Sequence, residues 1–126
     1  MNGFDVKISE TTANLDAKMR VKLKDITNAV KLDEVTTIDD YYTITPCDYA
    51  ILDVHNENSD NKDYKLFIII DENGTKYVTG SPSFMNAFMG IWDEMKDEEK
   101  GSWSIQAYKR DSKNYKGKTF MTCSLA

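Results

Sequence analysis

The strongest signal for the fold is one stretch in the middle of the chain, Tyr64-Lys-Leu-Phe-Ile-Ile-Ile-Asp-Glu-Asn-Gly-Thr-Lys-Tyr-Val-Thr79. Its first seven residues are rich in β-branched side chains and apolar on both faces, which predicts a central strand over residues 64–70. Asn73 and Gly74 then make a dipeptide typical of tight hairpins, because both residues tolerate positive φ. Residues 76–79 follow as the returning strand, so the stretch predicts an antiparallel pair inside a β-sheet.

A helix with clear start signals is expected directly after this hairpin. Ser81 can cap it, and Pro82 occupies its first position, where a missing N–H costs nothing. Apolar side chains then recur at i, i+4, i+7, i+8 and i+11, which predicts a core-facing stripe, and Gly101 is the expected stop. The stripe consists of Phe84, Phe88, Ile91, Trp92 and Met95.

Further strands are expected on both sides of this unit. Residues 48–54 predict a strand that a polar loop, residues 55–63, joins to the hairpin. After the helix, residues 103–107 and 118–125 alternate as two strands of a second hairpin. Their expected inward residues are Trp103, Ile105, Ala107, Met121, Cys123 and Leu125.

The resulting order from residue 48 is strand, strand, strand, helix, strand, strand. This is the order of an OB-fold, a five-stranded barrel with its helix between the third and fourth strands. We therefore predict a mainly β, OB-like single domain over residues 41–126. A generic α+β sheet with one covering helix is the rival architecture.

Residues 1–40 are expected to form an N-terminal extension of this domain. Residues 18–24 alternate strictly, which predicts an extra strand with Met19, Val21 and Leu23 toward the core. The alternation of Phe4, Val6 and Ile8 suggests another short strand, and a short helix is expected near residues 26–35.

Composition points to one soluble globular domain and to no enzyme class. The chain has 126 residues, 40% of them hydrophobic, and a formal net charge of -5. No apolar run approaches a membrane span and no signal-peptide core opens the chain, so we expect a cytoplasmic protein. Cys47 and Cys123 are expected to be reduced thiols, and the only histidine, His55, falls in the polar loop. We therefore expect no catalytic residue, no metal site and no cofactor.

A basic and aromatic segment near the C-terminus, residues 107–123, stands out on this acidic chain. Five cations there accompany a single acid, Asp111, and aromatic residues are interleaved with them. Cations attract phosphates and aromatic rings stack on unpaired bases, so the pattern predicts a nucleic-acid contact; a plain solvated hairpin is the alternative. The expected register of the hairpin turns some of these residues outward, and others lie on its loop, where OB-folds often hold ligands. The candidate contacts are Tyr108, Lys109, Arg110, Lys113, Tyr115, Lys116, Lys118 and Phe120, with Tyr77 of the third strand.

Two segments carry a resemblance to a known family. Tyr77-Val-Thr-Gly-Ser-Pro-Ser-Phe84 with its helix, and Ser112-Lys-Asn-Tyr-Lys-Gly-Lys-Thr-Phe-Met-Thr-Cys123, resemble single-stranded-DNA-binding proteins of phages of Gram-positive bacteria. The resemblance spans roughly residues 41–124. It implies an OB-like fold, no catalysis, and coating of single-stranded DNA during phage replication or recombination in the host cytoplasm. The chain stops directly after its last strand, so the acidic recruitment tail of bacterial relatives is not expected.

The sequence therefore predicts two alternative functions. The first is largely sequence-independent binding of single-stranded DNA by a protein that self-associates, since linked sites bind at high effective concentration. The second is an acidic protein-binding module that inhibits a host defence or replication protein, using the acidic run at residues 93–99.

Overall fold

The computed structural model describes residues 4–12, 16–38, 40–58, 62–111 and 117–126, and in them the chain is mainly β-structure. Its elements in chain order are β1 Phe4–Thr11, α1 Ala17–Lys24, β2 Val30–Lys31, α2 Leu32–Val35, β3 Tyr42–Ile44, β4 Pro46–Asn56, β5 Asp63–Asp71, β6 Lys76–Thr79, α3 Pro82–Met95, β7 Ile105–Asp111 and β8 Thr119–Leu125. The expected order from residue 48 onward is confirmed.

The strands form two sheets. The large sheet has the order β1-β4-β5-β6-β2, and the small sheet has the order β3-β7-β8. Only Thr45 separates β3 from β4, so one nearly continuous segment passes from the small sheet into the large one. In the described residues the sheets are not closed into a barrel. Closure needs the terminal strands to be paired, whereas in the described part of the chain β1 and β2, the terminal strands of the large sheet, pair with no strand of the small sheet.

The main core lies between the two sheets and α3. The helix begins as expected, because the Ser81 hydroxyl accepts a hydrogen bond from the Phe84 N–H at 3.3 Å. Its apolar stripe is confirmed, with Phe84, Phe88 and Trp92 buried. The helix ends at Met95, before the expected stop at Gly101, because the following acidic run has no apolar face to bury and its charges oppose the helix dipole.

A second apolar cluster covers the opposite face of the large sheet. It joins Ala50, Leu52 and Val54 of β4 to Ile68 of β5, and Leu23 of α1 packs against them. The large sheet is therefore buried on both faces along its centre. This explains why residues 64–70 carry apolar side chains without alternation.

The prediction of a strand at residues 18–24 is wrong, because this segment belongs to the helix α1. Asp16 caps the helix, and its carboxylate accepts a hydrogen bond from the Met19 N–H at 2.9 Å. In a helix Met19 and Leu23 lie one turn apart on the same face, whereas Val21 turns outward and is 70% exposed. The alternation over seven residues predicts a strand, but the cap at Asp16 favours a helix, and so short an alternating run is a weak signal.

The strand of the N-terminal region is β1, and it belongs to the large sheet. It pairs antiparallel with β4 from Phe4 opposite Asn56 to Thr11 opposite Ala50. The short helix expected near residues 26–35 is present only as α2. No helix in the described parts of the chain has both the length and the apolar character of a membrane span.

The β5–β6 hairpin is confirmed, although its turn differs from expectation. Within the turn only Gly74 adopts positive φ, at 83°, and Asn73 does not. The Asp71 carboxylate accepts hydrogen bonds from the N–H groups of Asn73 and Thr75, at 2.9 and 2.8 Å. A side chain thus replaces part of the backbone pairing that a two-residue turn would supply.

Both cysteines are unpaired thiols, as expected. Cys123 lies in the main core, and burial raises the pKa of its thiol to about 12. The pKa of the Cys47 thiol is also raised, first by burial and then by the neighbouring Asp48 carboxylate. Neither thiol is therefore activated as a nucleophile at neutral pH.

Candidate nucleic-acid interface

The small sheet has one face in the core and one face open to solvent. Ile44, Ile105, Ala107, Met121 and Cys123 are buried on the inner side. Because side chains alternate along a strand, the residues between them point outward. We call this surface the outer face; it comprises Tyr41, Thr43, Gln106, Tyr108, Arg110, Phe120, Thr122 and Ser124.

Three aromatic rings lie on the outer face. Tyr41 is 62% exposed and Phe120 is 40% exposed. The ring of Tyr108 is held between two neighbours: its centroid lies 5.0 Å from that of Tyr41, edge to face, and its hydroxyl lies 2.7 Å from the Ser124 hydroxyl. Tyr108 and Phe120 lie in the paired strands β7 and β8, and Tyr41 directly precedes β3, which keeps the entropic cost of stacking low.

Tyr41 is a residue that sequence reasoning missed. Tyr42 and Ile44 face the core, so Tyr41 and Thr43 face outward by alternation. The alternation that indicates an outward Tyr41 is visible in the segment Tyr41-Tyr-Thr-Ile44. Which of two adjacent tyrosines would be exposed became clear only from the pairing of β3 with β7.

The expected cations do not all reach the outer face. Arg110 is exposed and stands directly opposite Phe120, and Lys118 is exposed just before β8. Lys109 points to the other side, where its ammonium group donates a hydrogen bond to the Asp33 carbonyl at 2.8 Å. Lys113, Tyr115 and Lys116 lie outside the described residues.

Tyr77 does not belong to this surface. It is 7% exposed, packs edge to face on Tyr42, and donates its hydroxyl to the Asp71 carboxylate at 3.0 Å. Burial, and then the hydrogen bond to Asp71, raise the pKa of its phenol. A ring enclosed in the core cannot stack on a base, so its proposed contact role is wrong.

Leu125 was expected to lie in the core, but it is exposed. Met121 and Cys123 are buried as predicted, but Leu125 is 49% exposed although it pairs with Ile105. It is the last residue of β8, and burial in this strand ends before it.

His55 forms a separate polar network at the far end of β4. Its Nδ1 lies 2.7 Å from the Asp63 carboxylate and its Nε2 lies 2.6 Å from the Glu57 carboxylate. Hydrogen bonds, first to Asp63 and then to Glu57, raise the pKa of the imidazole. Within the described residues no group of three or more potential ligands is arranged to hold a metal ion.

We expect the imidazole of His55 to titrate above the value of 6.5 that is ordinary for histidine. The Asp63→Asn variant should lower this pKa further than Glu57→Gln, because the Asp63 hydrogen bond is the larger cause. His55 is the only histidine, so a proton NMR titration reads it directly. An unshifted pKa in the wild-type protein would contradict the network.

The pH window of this network follows from the same shifts. The raised pKa of His55 gives stabilisation that is present in acid and lost as the pH rises through that pKa. Glu57, whose pKa the His55 and Lys62 hydrogen bonds lower, gives stabilisation that is lost as the pH falls through its own pKa. The network therefore orders the β4–β5 end best between the two pKa values.

Comparisons with protein-family models, with curated proteins and with solved structures found no match to this chain.

Proposed function

We propose that this protein binds single-stranded DNA without catalysis and largely without regard to sequence. The observation that carries the proposal is the outer face, where exposed aromatic rings and Arg110 share one open sheet surface. Each base stacked on such a ring contributes about 1–3 kcal/mol, and every base offers a ring face. The net charge of -5 weakens attraction to phosphates, so stacking supplies a large share of the affinity.

The proposal includes an opened relative of the OB-fold and a setting in phage DNA replication or recombination. The fold part is supported by the order of β4, β5, β6, α3, β7 and β8 and by the passage of the β3–β4 segment between the sheets. The phage setting is supported by the resemblance of residues 77–84 and 112–123. In this arrangement β7 and β8, the strands on either side of residues 112–116, carry most of the outer face.

A fluorescence anisotropy titration with labelled oligo(dT) tests the binding. We expect tight binding at low salt and a log–log salt slope of about -2 to -3, since each of three or four cations should add about -0.7. Duplex DNA should compete poorly, because its bases are already stacked. Absence of binding at low salt would overturn the proposal. An affinity that does not depend on salt would show that the cations do not contact phosphates.

A pair of matched variants assigns the phosphate contact to the outer face. Arg110→Gln should reduce the magnitude of the salt slope by about 0.7, whereas Lys96→Gln should leave the slope unchanged. Lys96 is exposed at the C-terminal end of α3 and lies outside the outer face, so it controls for the loss of one charge. Equal effects of the two variants would mean that the affinity follows net charge alone.

A second candidate function is inhibition of a host nucleic-acid-binding protein by an acidic surface. The observation that favours it is the exposure of Asp93, Glu94 and residues 97–99 at the end of α3. Such a surface can occupy a basic channel. Capture of a host protein together with no binding of oligo(dT) would favour this function over the first.

A further inference from the structure

The large sheet has one long unpaired strand edge. β1 is its terminal strand, and in the described part of the chain nothing pairs with the side of β1 that faces away from β4. The pairing of β1 with β4 is regular from Phe4 to Ile8, and a bulge interrupts it between Ile8 and Glu10. Residues 4–8 therefore present a flat row of free backbone N–H and C=O groups, a template for another strand.

The geometry of antiparallel pairing restricts which residues of two identical strands can meet. Backbone groups point to a given edge from every second residue, so two copies can pair only when paired residue numbers sum to an even value. Within residues 4–8 the two-fold axis can then pass through Asp5, Val6 or Lys7. Only an axis at Val6 uses the whole regular stretch, pairing Phe4 with Ile8 and Asp5 with Lys7 of the second copy.

Charge selects the same register. Asp5 and Lys7 lie on one face of β1, with their side chains 44% and 78% exposed, and their charged groups are 3.9 Å apart within one chain. An axis at Val6 sets Asp5 opposite the partner's Lys7 twice. An axis at Asp5 sets two carboxylates opposite each other, and an axis at Lys7 sets two ammonium groups opposite each other, which is destabilising.

We propose that two copies of this protein pair antiparallel through β1, around a two-fold axis at Val6, and so form one continuous ten-stranded sheet. The partly buried Val6 and Ile8 continue the apolar side of the sheet across the axis, because both pack on the second cluster in each copy. The interface is isologous, as in most homodimers.

The dimer is reversible because its interface is small. A five-residue strand edge buries less than the roughly 800 Å² per partner of a standard interface. Sedimentation velocity over a wide concentration range should therefore show a monomer–dimer equilibrium. The measurement is made without DNA, so its result does not depend on the function proposed above.

Charge-reversal variants test the register. Asp5→Lys alone and Lys7→Asp alone should each weaken the dimer by at least about tenfold, because like charges then meet across the axis. The Asp5→Lys/Lys7→Asp double variant should restore the dimer. An equimolar mixture of the two single variants should form a heterodimer, since two lysines of one chain then face two aspartates of the other.

The control is Lys96→Asp, which makes the same charge change as Lys7→Asp outside β1 and should leave the equilibrium unchanged. Both β1 positions are at least partly exposed, so the variants should stay folded, and circular dichroism melting checks this. A wild-type protein that stays monomeric at all concentrations would overturn the proposal. A single variant that still dimerises, or a mixture that does not, would overturn the Val6 register.

Discussion

Replacing Phe88 by alanine should lower the free energy of unfolding by about 3–5 kcal/mol, the range for removing a buried aromatic ring. Phe88 is fully buried, and its ring lies 5.1 Å from that of Phe67 and 5.9 Å from that of Trp92. It therefore connects α3 to the large sheet, and its loss leaves a cavity in the main core. A small domain has only about 5–15 kcal/mol of stability in total.

Urea unfolding followed by tryptophan fluorescence measures this effect. The midpoint should fall while the slope m stays the same, which marks a loss of stability rather than a change of mechanism. Asn86→Ala is the matched control, because Asn86 is exposed on the same helix and its replacement should change stability by less than about 0.5 kcal/mol. Comparable losses in both variants would contradict the position of Phe88 at the centre of the core.

Replacing Phe120 and Tyr41 by alanine should each weaken binding of oligo(dT) by about 5- to 150-fold. This range corresponds to about 1–3 kcal/mol for one base stacked on one ring. The two losses should add if the rings hold different bases. Both side chains are substantially exposed, so the variants should keep the stability of the wild-type protein.

Three further variants separate stacking from other causes. Phe120→Leu keeps apolar area without a ring face and should lose most of the affinity that the alanine variant loses. Val21→Ala removes an exposed apolar side chain from α1 and should change nothing. Tyr77→Phe should also leave the affinity unchanged, because Tyr77 is buried. If both Phe120→Ala and Tyr41→Ala leave the affinity unchanged, bases do not stack on the outer face and that part of the proposed function is wrong.

Elements with strong local signals were predictable from the sequence. The central strand β5, the hairpin at Asn73–Gly74 and the stripe of α3 each combine a long pattern with turn or cap chemistry. Segment 17–24 was not predictable in the same way, because its alternation is short and its cap at Asp16 competes with it.

Membership of the candidate interface was only partly predictable. The register of the last hairpin placed Tyr108, Arg110 and Phe120 outward, and the pairing of β7 with β8 confirms this. Lys109 points away from the outer face because it donates a hydrogen bond to Asp33, 76 residues away along the chain. No local sequence pattern predicts that contact.

The type and order of the elements from β4 to β8 follow from local sequence signals, because periodicity, capping and turn residues act over a few neighbours. Long-range packing determines instead that the sheets are open in the described residues, that Tyr77 is buried and that Tyr41 joins the outer face. All three features have the same cause. Which strand occupies an edge, and which ring a second layer covers, depends on contacts between segments far apart in the chain.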